Sequence, residues 1–162
     1  MARALIIGCG CRGRALGEAL LGAGWQVRGT TRSEAGLEPV EASGIEAAIA
    51  DPDAPGTILY HLDGVALIYW LLGSAGGEAD AVAALHGSRL RSLMAKLVDT
   101  PVRGFVYEGA GSVERDVLAE GARGVNDARE RWRIPVTVTT TEPADHDSWL
   151  EEMVAAAQRL LQ

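Results

Sequence analysis

Apolar residues along this chain alternate between two patterns. Short continuous apolar runs, typical of strands buried on both faces of a parallel sheet, occupy residues 4–7, 65–72, 105–107 and 136–138, with weaker examples at 27–31 and 45–50. Between them lie stretches whose apolar residues recur at helical spacing. These cover residues 14–21, 79–97 and 148–161, with less regular ones at 55–62, at 113–131, and after Ser33 as far as about Pro39. Strands and helices are therefore predicted to alternate from end to end.

This alternation predicts an α/β fold of the Rossmann type. Successive strand–helix–strand units with right-handed crossovers build an open, doubly wound parallel sheet with helices on both faces. We expect about six strands in the order 3-2-1-4-5-6. No repeat, low-complexity tract or linker interrupts the pattern, so residues 1–162 are predicted to form one domain.

Charge and hydropathy argue against two classes of partner. The formal net charge is −7, and no run of Lys and Arg supplies the basic surface expected for binding to nucleic acid or to an anionic membrane. No apolar stretch approaches the roughly 18 to 20 residues of a membrane span, and Met1 leads straight into the first predicted strand without a signal-peptide region. We therefore expect a cytoplasmic protein with no nucleic-acid or membrane partner.

A glycine motif joins the first predicted strand to the first predicted helix. Gly8, Gly10 and Gly13 form G-x-G-x-x-G, with Cys11 and Arg12 inside the loop. In this setting one glycine permits the tight turn, the next lets the backbone approach a pyrophosphate, and the third lets the helix pack against the strand. The phosphates would bind free N–H groups at the positive end of the helix dipole. The motif predicts a dinucleotide site; the alternative is a glycine-rich turn that binds nothing.

The end of the second predicted strand bears on which dinucleotide is bound. An NAD site has an acidic residue about 20 positions after the glycines, which binds the adenine ribose. This chain has Thr30, Thr31 and Arg32 there, and a guanidinium suits the 2′-phosphate of NADP. Arg12 could bind the same phosphate from the other side, whereas a plain surface charge is the alternative for both arginines. We predict NADP, with NAD less favoured.

The cysteines and histidines do not form a metal-binding pattern. Cys9 and Cys11 are too close along the chain for an unstrained disulfide, and the histidines are scattered along the sequence at His61, His86 and His146. We expect no metal. The cysteines are interpreted as small side chains that fill the turn, with a redox-sensing thiol beside the helix as the alternative.

Beyond the glycine motif, the chain resembles a known family. "ALIIGCGCRGRALGEALLGAGWQVRGTTRS", residues 4–33, resembles the start of the short-chain dehydrogenase/reductase superfamily, in its extended and atypical branches, which include the NAD-dependent epimerases and dehydratases and the NmrA-like proteins. "GIEAAIADPDAP", residues 44–55, is similar to the family's third strand and its acidic turn, and this implies that Asp51 holds the adenine amino group.

Two softer motifs continue the resemblance. "LDGVALIYWLLGSAG", residues 62–76, is similar to the family's L-x-G-V-D-x-V strand and the small-residue loop after it, which implies that Gly73 and Ser74 lie near the cofactor's sugars. "VRGFVYEGAGSV", residues 102–113, resembles x-x-F-V-Y-x-S-S-x-x-V-Y-G at the fifth strand. The resemblance therefore covers the Rossmann core.

The departures from the family pattern bear on catalysis. Family chemistry uses a Tyr with a Lys four residues later, yet the only lysine is Lys96, and the residue four positions before it is Ser92. Alignment of the fifth-strand motif places Gly109 and Ala110 where the family has two serines, and Glu114 where it has a second Tyr. The chain also passes almost directly from the sixth strand into its last helix, where family members carry a substrate-binding region. No separate substrate domain is therefore expected.

Candidate catalytic groups must follow the carboxyl ends of the strands, where open α/β sheets bind ligands. The candidates are Glu108, Ser112 and His146. For Glu108 the plainer interpretation is a solvated loop acid. For His146 it is a place in the polar first turn of the last helix, capped by Asp147 or Ser148.

Two functions remain open at this point. The favoured hypothesis is an NADP(H)-binding Rossmann protein without the Tyr-x-x-x-Lys pair, acting as a cofactor-responsive sensor or regulatory protein. The alternative is a small atypical NADP-dependent oxidoreductase or epimerase-like enzyme with a non-standard acid or base. An apolar stripe on the last helix either closes the sheet or joins two subunits of a homodimer; it comprises Trp149, Leu150, Met153 and Val154.

Overall fold

The computed structural model describes residues 2–161, which form a six-stranded sheet. The strands are β1 Arg3–Ile7, β2 Gln26–Thr31, β3 Glu46–Ile49, β4 Val65–Trp70, β5 Gly104–Glu108 and β6 Val136–Thr139. All neighbouring pairs are parallel, and the spatial order is β3-β2-β1-β4-β5-β6. The predicted doubly wound sheet and its strand order are therefore confirmed.

Within residues 2–161, seven α-helices cover the two faces of the sheet. They are α1 Cys11–Gly22, α2 Leu37–Ala42, α3 Gly56–Leu59, α4 Ala79–His86, α5 Ser88–Lys96, α6 Arg115–Trp132 and α7 His146–Leu160. Because successive strand residues point to opposite faces, Ile6 packs with α1, α2 and α7, whereas Ile7 packs with α3 to α6. Tyr69 and Trp70 on β4 are fully buried on opposite faces, as expected of core residues.

The last helix closes the sheet. Trp149 and Met153 are fully buried against residues of β1, β4 and β5, and Leu150 and Val154 are half-buried beside them. This apolar stripe therefore packs inside the chain and gives no support for a homodimer. The homodimer remains a prediction. Within residues 2–161, no helix is both long enough and apolar enough to cross a bilayer.

Two helix predictions are wrong because of single residues. The helix predicted over residues 79–97 is broken at Gly87, whose φ of −113° and ψ of −105° separate α4 from α5. Apolar residues keep their spacing across this break, so the pattern alone hides it. The helix predicted to end near Pro39 instead runs to Ala42, because Pro39 lies in its first turn, where its missing N–H is not needed.

Two helix starts also differ from prediction. The first helix begins at Cys11 rather than at residue 14, because Gly10 serves as the N-cap and its carbonyl accepts the Arg14 N–H at 2.8 Å. The last helix begins at His146 after Asp145. The predicted caps, Asp147 and Ser148, therefore lie inside its first turn.

Helix α1 packs closely on the sheet at Gly17. A β-carbon at this position would lie 2.9 Å from Cγ1 of the buried Ile45 and closer still to its Cδ1. We therefore expect Gly17→Ala to destabilise the protein by about 1 to 3 kcal/mol through overpacking, although alanine is the better helix former.

Gly22 provides a matched control at the exposed end of the same helix, since a β-carbon there would meet nothing within 4 Å. Gly22→Ala should leave the free energy of unfolding unchanged or raise it by up to about 1 kcal/mol. Urea denaturation of both variants checks this. Equal effects at the two positions would contradict the close packing at Gly17.

Candidate dinucleotide-binding site

The loop after β1 depends on glycine at two points of close backbone contact. Gly8 has a φ of 86°, and a β-carbon there would lie 2.6 Å from the carbonyl oxygen of Leu71, in the segment after β4. At Gly13 a β-carbon would lie 2.9 Å from the carbonyl oxygen of Gly8. These contacts hold the start of α1 against the carboxyl ends of β1 and β4.

Gly10 has the opposite environment. A β-carbon at Gly10 would meet no atom within 4 Å, and its backbone is extended. The next residues begin α1, and the first N–H groups of a helix have no carbonyl partner within the helix. The space beside Gly10 is therefore bordered by N–H groups at the positive end of a helix, an arrangement that suits an anion.

A groove of about 360 Å³ extends from this space towards the ends of β2 and β3. Its walls include Gly8, Gly10, Arg14, Thr31 and Arg32. The Arg32 side chain is 58% exposed, and its Nε lies 3.8 Å from Oδ1 of Asp51. The groove thus combines the open space at Gly10 with two arginines, Arg14 and Arg32.

Of the two arginines that line this groove, Arg32 was predicted from the sequence and Arg14 was not. Arg12 borders a different, second pocket, whereas Arg14 lines the groove with Arg32. Because the sequence pattern placed the start of α1 at residue 14, it presented Arg12 as the cation of the loop and gave Arg14 no role.

Asp51 lies at the turn after β3, beside the groove. Its Oδ1 accepts the Asp53 N–H at 2.9 Å, and its own N–H donates to the Thr57 hydroxyl at 2.8 Å. These bonds fix the acidic turn and leave the Asp51 side chain 47% exposed next to Arg32. Its predicted contact with adenine stays a prediction.

The predicted sugar-contacting residues, Gly73 and Ser74, join two loops. The Gly73 carbonyl accepts the Val113 N–H at 3.0 Å, and the Ser74 hydroxyl accepts the Ser112 N–H at 3.1 Å. The segments after β4 and β5 are thereby joined side by side. Contact of Gly73 and Ser74 with a cofactor remains a prediction.

Glu108 at the end of β5 is buried, so the expectation of a solvated acid is wrong. The residue is 1% exposed. Its Oε1 accepts the Gly73 N–H at 2.9 Å, and its Oε2 accepts the indole N–H of Trp149 at 2.8 Å. Burial raises the pKa of Glu108, while these two N–H donors and the nearby Arg12 act in the opposite direction.

A second pocket of about 150 Å³ lies above this carboxylate. It is lined by Cys11, Arg12 and the three glycines of the loop, and by Glu108 and Trp149. The glycine loop therefore separates two spaces, with the groove on the β2 side and the second pocket on the β5 side.

Neither of the other catalytic candidates lies at these pockets. Ser112 is exposed in the loop after β5, and His146 is exposed at the start of α7, where its ring stacks on Trp149 at 6.2 Å between centroids. Of the three candidates, only Glu108 borders the glycine loop.

The cysteines have separate environments. Cys9 is buried, and its Sγ lies 2.5 Å from where a Gly29 β-carbon would be, so its small side chain fills the turn as interpreted. Burial raises the pKa of the Cys9 thiol to about 11. Cys11 is exposed in the first turn of α1, so the interpretation that it also fills the turn is wrong. In the described part of the chain, no group of His, Cys, Asp and Glu is placed to hold a metal ion.

The tyrosines and the lysine lie away from the glycine loop. The hydroxyls of Tyr69 and Tyr107 are buried and donate to the carbonyls of Met153 and Leu118, and Tyr60 is 85% exposed just after α3. Lys96 lies near residues 62 and 63, which precede β4, and so at the amino-end edge of the sheet.

Comparison with solved structures shows the same fold. The chain is similar to UDP-glucuronic acid 4-epimerase from Bacillus cereus in complex with NAD, with a TM-score of 0.66 and 15% identity over 84% of this chain and 54% of that one. It is also similar to UDP-glucose 4-epimerase from Thermotoga maritima, with a TM-score of 0.68 and 11% identity over 84% and 54%.

A third similar structure is triphenylmethane reductase from Citrobacter sp. complexed with NADP(H), with a TM-score of 0.63 and 17% identity over 85% of this chain and 48% of that one. No family model and no curated protein matches the sequence. The chain thus has the fold that these epimerases and reductases share, and it spans about half of their length.

The buried Glu108 should make stability depend on pH. Since burial raises its pKa, the native state keeps a proton at pH values where the unfolded chain has lost it, so this contribution to stability falls as pH rises from about 4.5 through the raised pKa. Glu108→Gln removes the contribution. The stability of the variant relative to the wild type should therefore rise over that interval, as measured by urea denaturation. Parallel pH profiles for the two proteins would contradict the raised pKa.

Proposed function

We propose that this chain binds NADP(H) along the glycine loop, as a Rossmann core of the short-chain dehydrogenase/reductase superfamily, in its epimerase/dehydratase branch. The observation that carries the proposal is the open space at Gly10. It lies at the start of α1 and leads into a groove that bears Arg14 and Arg32. The similarity to structures that hold NAD and NADP(H) supports the same assignment.

The residues present fit such a cofactor part by part. The pyrophosphate would lie beside Gly10 on the first N–H groups of α1, and the adenosine would lie in the groove towards Asp51. Arg32 and Arg14 would bind the 2′-phosphate, for which paired guanidinium groups are well suited. When bound, the nicotinamide ring supplies a hydride donor or acceptor.

We further propose a sensor or regulatory role rather than strong catalysis. In the described residues, no tyrosine hydroxyl and no lysine borders either the groove or the second pocket. A bound dinucleotide would contact the loop after β1, and that loop packs against the segment after β4 at Leu71. Binding would thereby stabilise the joined loops after β4 and β5, and a partner protein could bind these loops in their stabilised conformation.

The second candidate is an atypical NADP-dependent oxidoreductase or epimerase-like enzyme. The buried carboxylate of Glu108, which borders the second pocket, is the observation that favours it. Oxidation of NADPH in the presence of carbonyl substrates would distinguish an enzyme from a sensor, because a sensor binds the cofactor without turnover.

Gly10→Ala should weaken cofactor binding without weakening the fold. The added methyl group would occupy the space proposed for the pyrophosphate, while the extended backbone of Gly10 accommodates alanine. We expect a loss of affinity for NADPH of at least about tenfold, or about 1.4 kcal/mol, by calorimetric titration.

The control for this test is the Gly22→Ala variant, in which a glycine of the same helix is replaced away from the loop. Gly22→Ala should bind NADPH as the wild type does. Unchanged NADPH affinity in Gly10→Ala would show that no phosphate lies at the loop.

Arg32→Ala should weaken binding of NADPH by about 1.5 to 3 kcal/mol and leave binding of NADH almost unchanged, because only NADPH carries the 2′-phosphate. Arg12→Ala is the matched control: Arg12 borders the second pocket instead of the groove, so its loss should affect both cofactors equally. Equal losses for both cofactors in Arg32→Ala would rule out binding of the 2′-phosphate by Arg32.

A further inference from the structure

Glu108 is a charged group in an unusual position. It is 1% exposed, and among residues 2–161 no cation forms an ion pair with it within 4 Å. A buried carboxylate is costly unless hydrogen bonds compensate for the lost water. Only two donors of the described chain reach it, the Gly73 N–H and the Trp149 indole. A carboxylate offers about four acceptor sites, so acceptor capacity remains on both oxygens.

The remaining acceptor capacity lies at a pocket beside the phosphate space. Gly8 and Gly10 line both the groove and the second pocket, and Glu108 borders only the second. A ligand with its phosphates at Gly10 and its adenosine in the groove would therefore place its other half in the second pocket. In NADP(H) that half is the nicotinamide riboside, which presents ribose hydroxyls and a carboxamide N–H₂.

We propose that Glu108 binds the hydroxyl and amide donor groups of the nicotinamide riboside half of the cofactor, as a hydrogen-bond acceptor. The inference rests on the proposed function. It assigns the second pocket to a defined part of the ligand and gives Glu108 a binding role in place of the acid or base role considered from the sequence.

The hydrogen bonds of Glu108 support an acceptor rather than a proton donor. Its Oε1 faces the Gly73 N–H, and its Oε2 faces the Trp149 indole N–H. Trp149 is then a positioning residue, because its indole N–H holds Oε2 of the carboxylate at 2.8 Å.

Calorimetric titration with NADPH and with 2′,5′-ADP tests this assignment, because 2′,5′-ADP carries the adenosine half alone. Glu108→Gln should lower the affinity for NADPH about 10-fold to 100-fold, the effect of one hydrogen bond to a charged group. The affinity for 2′,5′-ADP should stay at the wild-type value, since that ligand does not reach the second pocket.

Two further variants keep the test decisive if the amide introduced by Glu108→Gln meets the Trp149 N–H unfavourably and weakens the fold. Trp149→Phe alone retains the carboxylate but removes the N–H that positions it, so its loss of NADPH affinity should be smaller than that of Glu108→Gln. The double variant Glu108→Gln with Trp149→Phe removes the opposing donor, and it should lose NADPH affinity as the single Glu108 variant does.

The other outcomes overturn the inference in distinguishable ways. Unchanged NADPH affinity in both Glu108 variants would show that the carboxylate does not contact the ligand. Equal losses for NADPH and 2′,5′-ADP would show that Glu108 acts through the fold. If the wild type binds neither ligand, the proposed function itself fails, and the inference fails with it.

Discussion

Close backbone contact at the end of β1 is the constraint on which the rest of the site depends. Gly8 lies against the Leu71 carbonyl, and Gly13 lies against the Gly8 carbonyl, at separations that no side chain permits. These contacts place the first turn of α1 at the carboxyl edge of the sheet, with Gly10 facing open space. Both the groove and the second pocket are bordered by this loop, so a larger residue at either contact would alter both.

Glu108 joins the segment after β4 to the last helix. Through Gly73 it holds the segment after β4, and through Trp149 it holds α7, which also closes one face of the core. A carboxylate in such a place costs desolvation energy, which burial of the Trp149 ring and the two hydrogen bonds offset. Glu108, at the end of β5, thus links the segment after β4 to α7. After the glycine contacts, these bonds are the second set of interactions that fix the geometry of the site.

The sequence was sufficient to predict the sheet, because a buried parallel strand and an amphipathic helix each leave a local pattern. The apolar runs identified all six strands, and the glycine spacing placed the loop after β1. The predicted bounds of a helix were wrong where a single residue determines where the helix ends. At Gly87 the backbone breaks the helix although the spacing of apolar residues continues.

The side-chain geometry of the site was harder to predict because it depends on partners distant in sequence. The burial of Glu108 depends on Gly73, which lies 35 positions away along the chain, and on Trp149, which lies 41 positions away. Neither separation leaves a local signal at residue 108. Arg14 was missed for a different reason: the sequence pattern locates the helix that carries Arg14 but does not show that this side chain faces the groove.

The most direct test of the account is calorimetric titration of the unmodified protein with NADPH and NADH and with their oxidised forms. We expect binding with dissociation constants of about micromolar order, tighter for the phosphorylated pair. Absence of heat and of competition with all four dinucleotides would contradict it. In that case the glycines after β1 would serve the packing of α1 alone.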